Sequence, residues 1–320
     1  MDASNALAAE SGSSSALTQI EKAARGREIT GFDIFRPTTD TMAADRVQTL
    51  MSIMNAEQPT GGEDLKYGPG DAHQLRYWKG KPPGAPIVVF IHGGSWRVGS
   101  YLDSIGSTKV VHLLEKGYAL ATINYTLFPH VTVAEQVQEV ANSLGYLTRN
   151  AARLEFDHSR IVLMGHSSGA HTVTLLGTDT SYLDRAGVAI HNIRAVISLD
   201  GSNYNAMAEV LDSPGPVAEN MKTGLGEDPD VLRAMSPTYN ARAPNANAFL
   251  LLHAERQGDI RQAEELKAVL NAAGTSVNLH VFEGESFEGH MQILLRLGDE
   301  EYPATEVLDK WLQIHVPVSV

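Results

Sequence analysis

The 320-residue sequence contains no cysteine, which excludes disulfide bonds, a cysteine nucleophile and cysteine-ligated metal sites. Long apolar runs are missing as well. The run Pro86–Ile91 falls far short of the roughly 20 residues that a membrane-spanning helix needs, so we expect no transmembrane segment. The start, Met1–Leu17, lacks the basic stretch and apolar core of a signal peptide. The compartment stays open: the cytoplasm is favoured, and a secreted or periplasmic location is the alternative if a leader has been removed.

Positive charge is scarce relative to negative charge: Lys and Arg total 25, Asp and Glu total 38, and the formal net charge is −13. Because such a surface repels phosphate backbones and no Lys/Arg cluster stands out, we expect no nucleic-acid partner. No spacing is typical of metal ligands, and we expect neither a metal nor an organic cofactor. Hydrophobic residues at 43% and charged residues at 20% are close to the globular average, which argues against a disordered or fibrous chain.

The chain divides into a lead, a short helical segment and one large domain. Residues 1–26 are rich in Ala and Ser and are expected to be flexible, because they offer little to bury. Within residues 27–63, apolar side chains near helical spacing predict a short amphipathic helix at Met42–Met54. Residues 64–320 form the main domain, which a Gly-, Pro- and Asn-rich insertion at about 201–246 interrupts. We expect this insertion and the N-terminal segment to form a small cap.

From residue 64 onward, strand and helix patterns alternate, which predicts an α/β domain with a mostly parallel central sheet flanked by helices. The apolar run Pro86–His92 is typical of a strand buried on both faces. Further strands are predicted at Leu65–Trp78 (two strands around a Gly-Pro-Gly turn), Tyr118–Tyr125, Arg160–Met164, Ile193–Leu199, Ala248–His253 and Val277–Phe282. Helices are predicted at Val133–Arg153, Ser168–Leu176, Ile260–Ala273 and Thr305–Ile314.

The pentapeptide Gly165-His166-Ser167-Ser168-Gly169 lies between a predicted strand and a predicted helix. This context is typical of a nucleophile elbow, a tight turn that lifts a serine hydroxyl above the sheet. The dipole of the following helix favours the negative charge that develops there. An ordinary helix N-cap is the alternative interpretation. Ser167 is therefore the candidate nucleophile.

Residues 92–96, His-Gly-Gly-Ser-Trp, follow a buried strand upstream of the elbow, where a serine hydrolase places its oxyanion hole. Glycines let backbone N–H groups approach the reacting carbonyl oxygen without a Cβ in the way. Gly93 and Gly94 are the candidate donors, with the N–H of Ser168 as their partner. His92 is expected to brace the loop. An ordinary glycine turn is the alternative interpretation.

A serine nucleophile needs a base, and His290 stands out among the twelve histidines. It ends the segment Gly284–His290, predicted as a loop after the last strand, which suits the chain order serine, acid, histidine. The acid is expected just beyond the strand Ala248–His253. Asp259, at the start of a helix, is the first candidate, with a helix N-cap as its structural alternative. Glu255, closer to the strand, is the second candidate.

Together these residues resemble the α/β-hydrolase superfamily, in the branch of arylformamidase-like and hormone-sensitive-lipase-like esterases with an H-G-G-x-W oxyanion loop. Residues 124–129 are similar to the N-Y-x-x-x-P element of that branch, and residues 156–161 to its lead into the elbow strand. The resemblance runs from about residue 65 to the C-terminus and implies an α/β-hydrolase fold. Family members carry an aspartate two or three residues beyond the strand, where this chain has Arg-Gln-Gly at 256–258.

These features predict a serine carboxylic ester hydrolase that acts on small or medium esters, aromatic ones included, through an acyl-enzyme. Ser95, Trp96, His166 and Tyr204 are the candidate residues of the substrate pocket. An arylformamidase that hydrolyses N-formylkynurenine-type amides is a second hypothesis. A non-catalytic small-molecule receptor on a hydrolase scaffold is a third, of another class. The sequence does not fix the oligomeric state, and a homodimer is compatible with it.

Overall fold

The computed structural model describes residues 59–102, 105–212, 214–284 and 286–318. The flexible lead at 1–26 and the helix at Met42–Met54, both predicted from the sequence, lie outside the described residues. Within the described ranges, no helix combines the length and the hydrophobicity needed to cross a bilayer.

The described part of the chain contains one eight-stranded sheet. Strands β1 to β8 span Glu63–Lys66, Gln74–Trp78, Ala85–Ile91, Ala119–Ile123, Phe156–His166, Ile193–Leu199, Ala248–Ala254 and Ser276–Phe282. Their order across the sheet is β1-β2-β4-β3-β5-β6-β7-β8. The β1/β2 and β2/β4 pairs are antiparallel, and every other pair is parallel. The predicted mostly parallel sheet is confirmed.

Helices connect most of the parallel strands. In chain order, α1 to α11 span Ser107–Glu115, Val133–Leu154, Ser168–Thr178, Thr180–Ala186, Glu209–Asp212, Pro216–Leu225, Pro229–Ala234, Pro237–Asn240, Gln257–Ala272, Ser286–Arg296 and Pro303–His315. The short helices α5 to α8 all lie in the long connection between β6 and β7.

The sheet buries hydrophobic side chains on both faces, because successive residues of a strand point to opposite sides. In β3, Ile87, Val89 and Ile91 belong to a cluster that includes side chains of α2, α3 and α9. Val88 and Phe90 belong to a second cluster, which includes side chains of α1, α10 and α11. Helices therefore cover both faces, as the alternating pattern of the sequence predicts.

The long helix α2 is fixed at its start and along its apolar face. The Thr132 hydroxyl accepts a hydrogen bond from the Glu135 N–H, and the Glu135 carboxylate accepts one from the Thr132 N–H, forming a capping box. Val137, Val140 and Leu144 are fully buried in the cluster on the sheet. The helix predicted at Val133–Arg153 is confirmed.

The structure corrects the sequence prediction after the last strand. The segment Gly284–His290 was predicted as a loop, yet α10 starts at Ser286 and carries His290. The segment contains two glycines, a residue type that is common in loops. Gly289 instead lies in the first turn of α10, where a Cβ would clash with the Gly284 backbone and lie 2.9 Å from the Ala254 Cβ. The glycine permits a close contact between this helix and the strand ends.

We expect Leu144→Ala to lower the free energy of unfolding by about 2–5 kcal/mol, because it leaves a cavity between α2 and the sheet. Leu211→Ala is the matched control, since Leu211 in α5 is 83% exposed and should change stability by no more than about 0.5 kcal/mol. Urea unfolding followed by circular dichroism measures both. Equal losses in the two variants would contradict the described packing of α2.

Candidate active site

Ser167 lies at the tight turn between β5 and α3. Its backbone has φ 56° and ψ −121°, a positive-φ conformation that costs free energy for a residue with a side chain. A Cβ at Gly165 would clash with the Gly169 carbonyl, and a Cβ at Gly169 would clash with the Ile91 carbonyl. The Ser167 N–H donates to the Leu199 carbonyl oxygen at 3.1 Å. The two glycines and this hydrogen bond hold the strained turn.

The glycine loop after β3 approaches this turn closely. A Cβ at Gly93 would lie 2.9 Å from the Ser167 Cβ and 2.6 Å from the His166 carbonyl oxygen, so only glycine is accommodated. In the hydrogen bonds of the described residues, neither Gly93 nor Gly94 donates its N–H. Ser168 is the first residue of α3, so its N–H has no acceptor within the helix. The role of these three N–H groups as an oxyanion hole stays a prediction.

His92 contacts the glycine loop and the strand end beneath it. Its Nδ1 donates to the Gly93 carbonyl oxygen at 2.8 Å, and its ring stacks on Tyr125 with centroids 4.3 Å apart. The Tyr125 hydroxyl donates to the His92 carbonyl oxygen at 2.9 Å, and burial raises the pKa of that hydroxyl. Tyr125 belongs to the N-Y-x-x-x-P element, which therefore supports the loop.

The imidazole of His290 in α10 contacts the carboxylate of Asp200, the residue directly after β6. Nδ1 of His290 lies 2.5 Å from Oδ2 of Asp200, and both side chains are buried. Because the carboxylate can only accept, Nδ1 carries the hydrogen, and Nε2 is the nitrogen that can take up a proton. His166, next to Ser167, donates from Nε2 to the His290 carbonyl oxygen at 3.0 Å, and the two rings lie 4.4 Å apart. This contact joins α10 to the serine turn.

Neither of the two acids predicted from the sequence contacts His290 in the hydrogen bonds and ion pairs of the described residues. Asp259 lies in the first turn of α9 and pairs with Arg256, with Nη2 and Oδ2 2.6 Å apart. Glu255 is exposed, and its carboxylate lies 3.4 Å from the Gly284 nitrogen. The carboxylate in contact with His290 is instead that of Asp200, which becomes the candidate acid in place of Asp259 and Glu255.

Hydrogen bonds to the neighbouring strand β7 fix the position of Asp200. Its N–H donates to the Leu252 carbonyl oxygen at 2.7 Å, and its Oδ1 accepts from the Ala254 N–H at 2.9 Å. Asp200 has φ 46°, an unusual conformation for an aspartate. The available signal was an aspartate directly after the apolar run Ile193–Leu199, at the same sheet edge as Ser167.

The charges around His290 favour the protonation state that a general base needs. Burial by itself would raise the pKa of Asp200, but the charge of Arg256 and the contacts with His253 and His290 hold it well below its usual range. Burial, followed by the charge of Arg256, lowers the pKa of His290, although Asp200 acts in the opposite direction. An ionised carboxylate beside a neutral imidazole is the resting state for proton abstraction.

The four predicted pocket residues have different settings. Ser95 is partly exposed, whereas Trp96 and His166 are buried beside the serine turn. Tyr204 has no exposed surface, and its hydroxyl lies 3.1 Å from His253 Nε2. The hydroxyl of Tyr204 also lies 2.5 Å from the Ser198 hydroxyl, and the role of all four residues in a substrate pocket stays a prediction. Among the described residues, no group of three His, Asp or Glu side chains has a metal-binding arrangement.

Comparison with known proteins finds a consistent set of relatives. The BD-FAE family model matches residues 77–270. The chain is 25% identical over 269 residues to isoprenylcysteine alpha-carbonyl methylesterase ICME from Arabidopsis thaliana, covering 79% of this chain and 60% of that protein. It is 30% identical over 232 residues to kynurenine formamidase from Drosophila melanogaster, covering 69% and 73%. The fold is similar to that of an inhibited esterase B from Lactobacillus rhamnosis, with a TM-score of 0.70, 18% identity and coverage of 86% and 94%.

The relatives differ in length. This chain spans about three fifths of the isoprenylcysteine methylesterases that it matches, but most of the esterase B chain. The matched region contains the glycine loop, Ser167, Asp200 and Arg256, and the family model ends before His290.

We expect the imidazole of His290 to titrate below its usual pKa of about 6.5, because burial and the charge of Arg256 disfavour the protonated ring. A pH titration of the ring resonances by NMR, assigned by comparison with His290→Gln, measures the midpoint. The same titration in concentrated urea gives the reference for the unfolded chain. A midpoint in the folded protein at or above that reference would contradict the described surroundings.

Proposed function

The chain belongs to the BD-FAE family and has the α/β-hydrolase fold of esterases, and from this premise we propose that it is a serine carboxylic ester hydrolase. It acts on small or medium esters through an acyl-enzyme on Ser167. The observation that carries the proposal is the buried contact between His290 Nδ1 and Asp200 Oδ2 beside the strained serine turn. This contact orients a neutral imidazole toward proton abstraction.

In the first half of the reaction, the Ser167 oxygen attacks the ester carbonyl carbon while His290 Nε2 accepts the hydroxyl proton. A C–O bond forms to the enzyme, and the carbonyl oxygen becomes an anion. The N–H groups of Gly93, Gly94 and Ser168 donate to that oxygen. Donors fixed in advance lower the barrier because they need no reorganisation as the charge develops.

In the second half, the imidazolium of His290 gives its proton to the leaving alcohol as the original ester bond breaks. The acyl group stays on Ser167. Water then attacks the acyl carbon, His290 takes one of its protons, and that proton returns to the serine oxygen as the carboxylic acid leaves. Asp200 keeps its charge throughout and stabilises the imidazolium each time it forms.

The connection between β6 and β7 supports a restricted pocket. In α6, a Cβ at Gly224 would lie 3.0 Å from the Trp96 ring, so this helix packs on the oxyanion loop. His171 in α3 donates from Nε2 to the carbonyl oxygen of Met235, the residue directly after α7, at 2.7 Å, which ties the end of that helix to α3. We infer that residues 201–246 cover the site and limit the acyl and alcohol groups. The similarity to methylesterases supports a small alcohol.

A second candidate is an arylformamidase, which the 30% identity to kynurenine formamidase favours. The same serine, base and donors would cleave a formyl amide, with an amine as the leaving group. Measuring kcat/KM for p-nitrophenyl acetate and for N-formylkynurenine separates the two candidates. A preference for the amide would replace the ester proposal by the formamidase.

We expect Ser167→Ala to lower the turnover of p-nitrophenyl acetate by at least about 10⁴-fold, because no other hydroxyl replaces the nucleophile. A fluorophosphonate should label the unmodified protein at Ser167 and leave the variant unlabelled, as read by peptide mass spectrometry. Ser181→Ala is the matched control at an exposed position. Unlabelled wild-type protein without turnover would instead favour the receptor hypothesis.

We expect Asp200→Asn to lower kcat/KM for the ester by about 10³–10⁴-fold, because the imidazole loses the charge that orients and stabilises it. Asp259→Asn should cost less than about tenfold, since Asp259 contacts Arg256 rather than His290. Circular dichroism checks that both variants fold. A larger loss in Asp259→Asn than in Asp200→Asn would restore the acid predicted from the sequence.

A further inference from the structure

A largely buried arginine lies behind the acid. The guanidinium of Arg256, at the start of α9, bridges two carboxylates: Nη1 lies 2.5 Å from Asp200 Oδ2, and Nη2 lies 2.6 Å from Asp259 Oδ2. The planar fork of arginine suits such a bridge better than the single ammonium of lysine. Arg256 lies just beyond the strand β7, where members of the α/β-hydrolase branch that this sequence resembles carry an aspartate.

Arg256 and His290 share one acceptor. Nη1 of Arg256 also lies 2.8 Å from His290 Nδ1, but both nitrogens carry hydrogens, so neither accepts from the other. They converge on Oδ2 of Asp200. The other oxygen, Oδ1, accepts from the Ala254 N–H at 2.9 Å and lies 3.4 Å from His253 Nδ1. The Arg256 guanidinium therefore binds one oxygen of the Asp200 carboxylate, and the Ala254 N–H binds the other.

The surrounding carboxylates make this positive charge necessary. Asp200, Asp259 and Glu209 are all buried near Arg256, and a buried carboxylate without a partner is strongly unfavourable. Burial raises the pKa of Asp259 to about 7, with Glu209 and Asp200 adding to the effect against the charge of Arg256. The pKa values of the two acids are therefore shifted in opposite directions, upward for Asp259 and downward for Asp200.

We propose that Arg256 is a positioning residue of the hydrolase, whose guanidinium, anchored on Asp259, holds the Asp200 carboxylate against Nδ1 of His290. The inference rests on the proposed function. It assigns a role to the arginine that stands in the place of an expected aspartate. Arg256 acts through Asp200 and His290 and touches no reacting atom.

The same placement affects how the rate depends on pH. A positive charge near His290 disfavours the imidazolium, and its removal should favour protonation. His290 is neutral above its pKa, so removing Arg256 should move the loss of activity on the acid side to higher pH.

The charged and titratable groups around His290 and Arg256 are Asp200 after β6, His253 in β7, His166 in β5, Asp259 in α9, Glu209 in α5 and Lys109 in α1, which acts on His166.

The test compares Arg256→Gln, Arg256→Lys and the wild-type protein, with Arg194→Gln as the matched control. Arg194 is exposed in β6, so its replacement removes the same charge away from the site. We expect Arg256→Gln to lower kcat/KM for p-nitrophenyl acetate roughly 10–100-fold, because a small misplacement of a reacting group can cost up to about 10²-fold in rate. The acid-side midpoint of the pH profile should rise by about one unit, and Arg194→Gln should change neither quantity.

Arg256→Lys separates position from charge. It should keep the acid-side midpoint within about 0.3 units but lose at least about fivefold in kcat, because one ammonium cannot bridge both carboxylates. Wild-type turnover in Arg256→Lys would overturn the positioning role, whether or not Arg256→Gln folds. An unmoved midpoint in a folded Arg256→Gln would reduce Arg256 to a structural role and overturn the proposal as well.

The NMR titration of His290 keeps this test separate from the proposed function. The His290 midpoint should rise by about one unit in Arg256→Gln, whatever the substrate of the protein. If wild-type protein neither hydrolyses the ester nor reacts with a fluorophosphonate, the proposed function fails. In that case, a higher His290 midpoint in Arg256→Gln still supports the inferred position of Arg256 beside Asp200 and His290. An unchanged midpoint overturns it.

Discussion

The buried carboxylate of Asp200 is the constraint on which the site depends. A carboxylate without solvent contact persists as an anion only where donors and positive charge surround it, because its desolvation costs several kcal/mol. Here the donors come from the Ala254 N–H at the end of β7, from His290 in α10 and from Arg256 at the start of α9. The ends of β7, α9 and α10 must therefore come together around Asp200 before its carboxylate can orient the imidazole of His290.

The parallel sheet supplies that point. Gly93, Ser167 and Asp200 follow β3, β5 and β6, which are consecutive neighbours in the sheet, and Arg256 follows the next strand, β7. The carboxyl ends of parallel strands lie at the same edge, where ligand sites of α/β proteins are usually built. Residues far apart in the chain therefore come together at one edge of the sheet. The strain at Ser167 is sustained because two glycines and the Leu199 carbonyl fix the turn.

Much of this edge could be predicted from the sequence, because it depends on local patterns. Strands buried on both faces read as apolar runs, and a serine between glycines at a strand end indicates the strained turn. The identity of the acid does not follow from such patterns. Asp200 and Asp259 both come shortly after strands, and only the directions of their side chains and the position of Arg256 separate them. Likewise, Gly289 reads as a loop signal until its contact with Gly284 is known.

The arginine also explains why an acid after β6 is compatible with this chemistry. A second carboxylate in the place of Arg256 would face Asp200 across a dry interior, and repulsion would drive one of the pair to bind a proton. A guanidinium there replaces the repulsion by attraction. Burial and the neighbouring carboxylates raise the pKa of Asp259, farther along the same helix, whereas the charge of Arg256 helps to hold the pKa of Asp200 well below its usual range. The guanidinium therefore favours both the ionised Asp200 and the neutral His290 that the proposed mechanism requires.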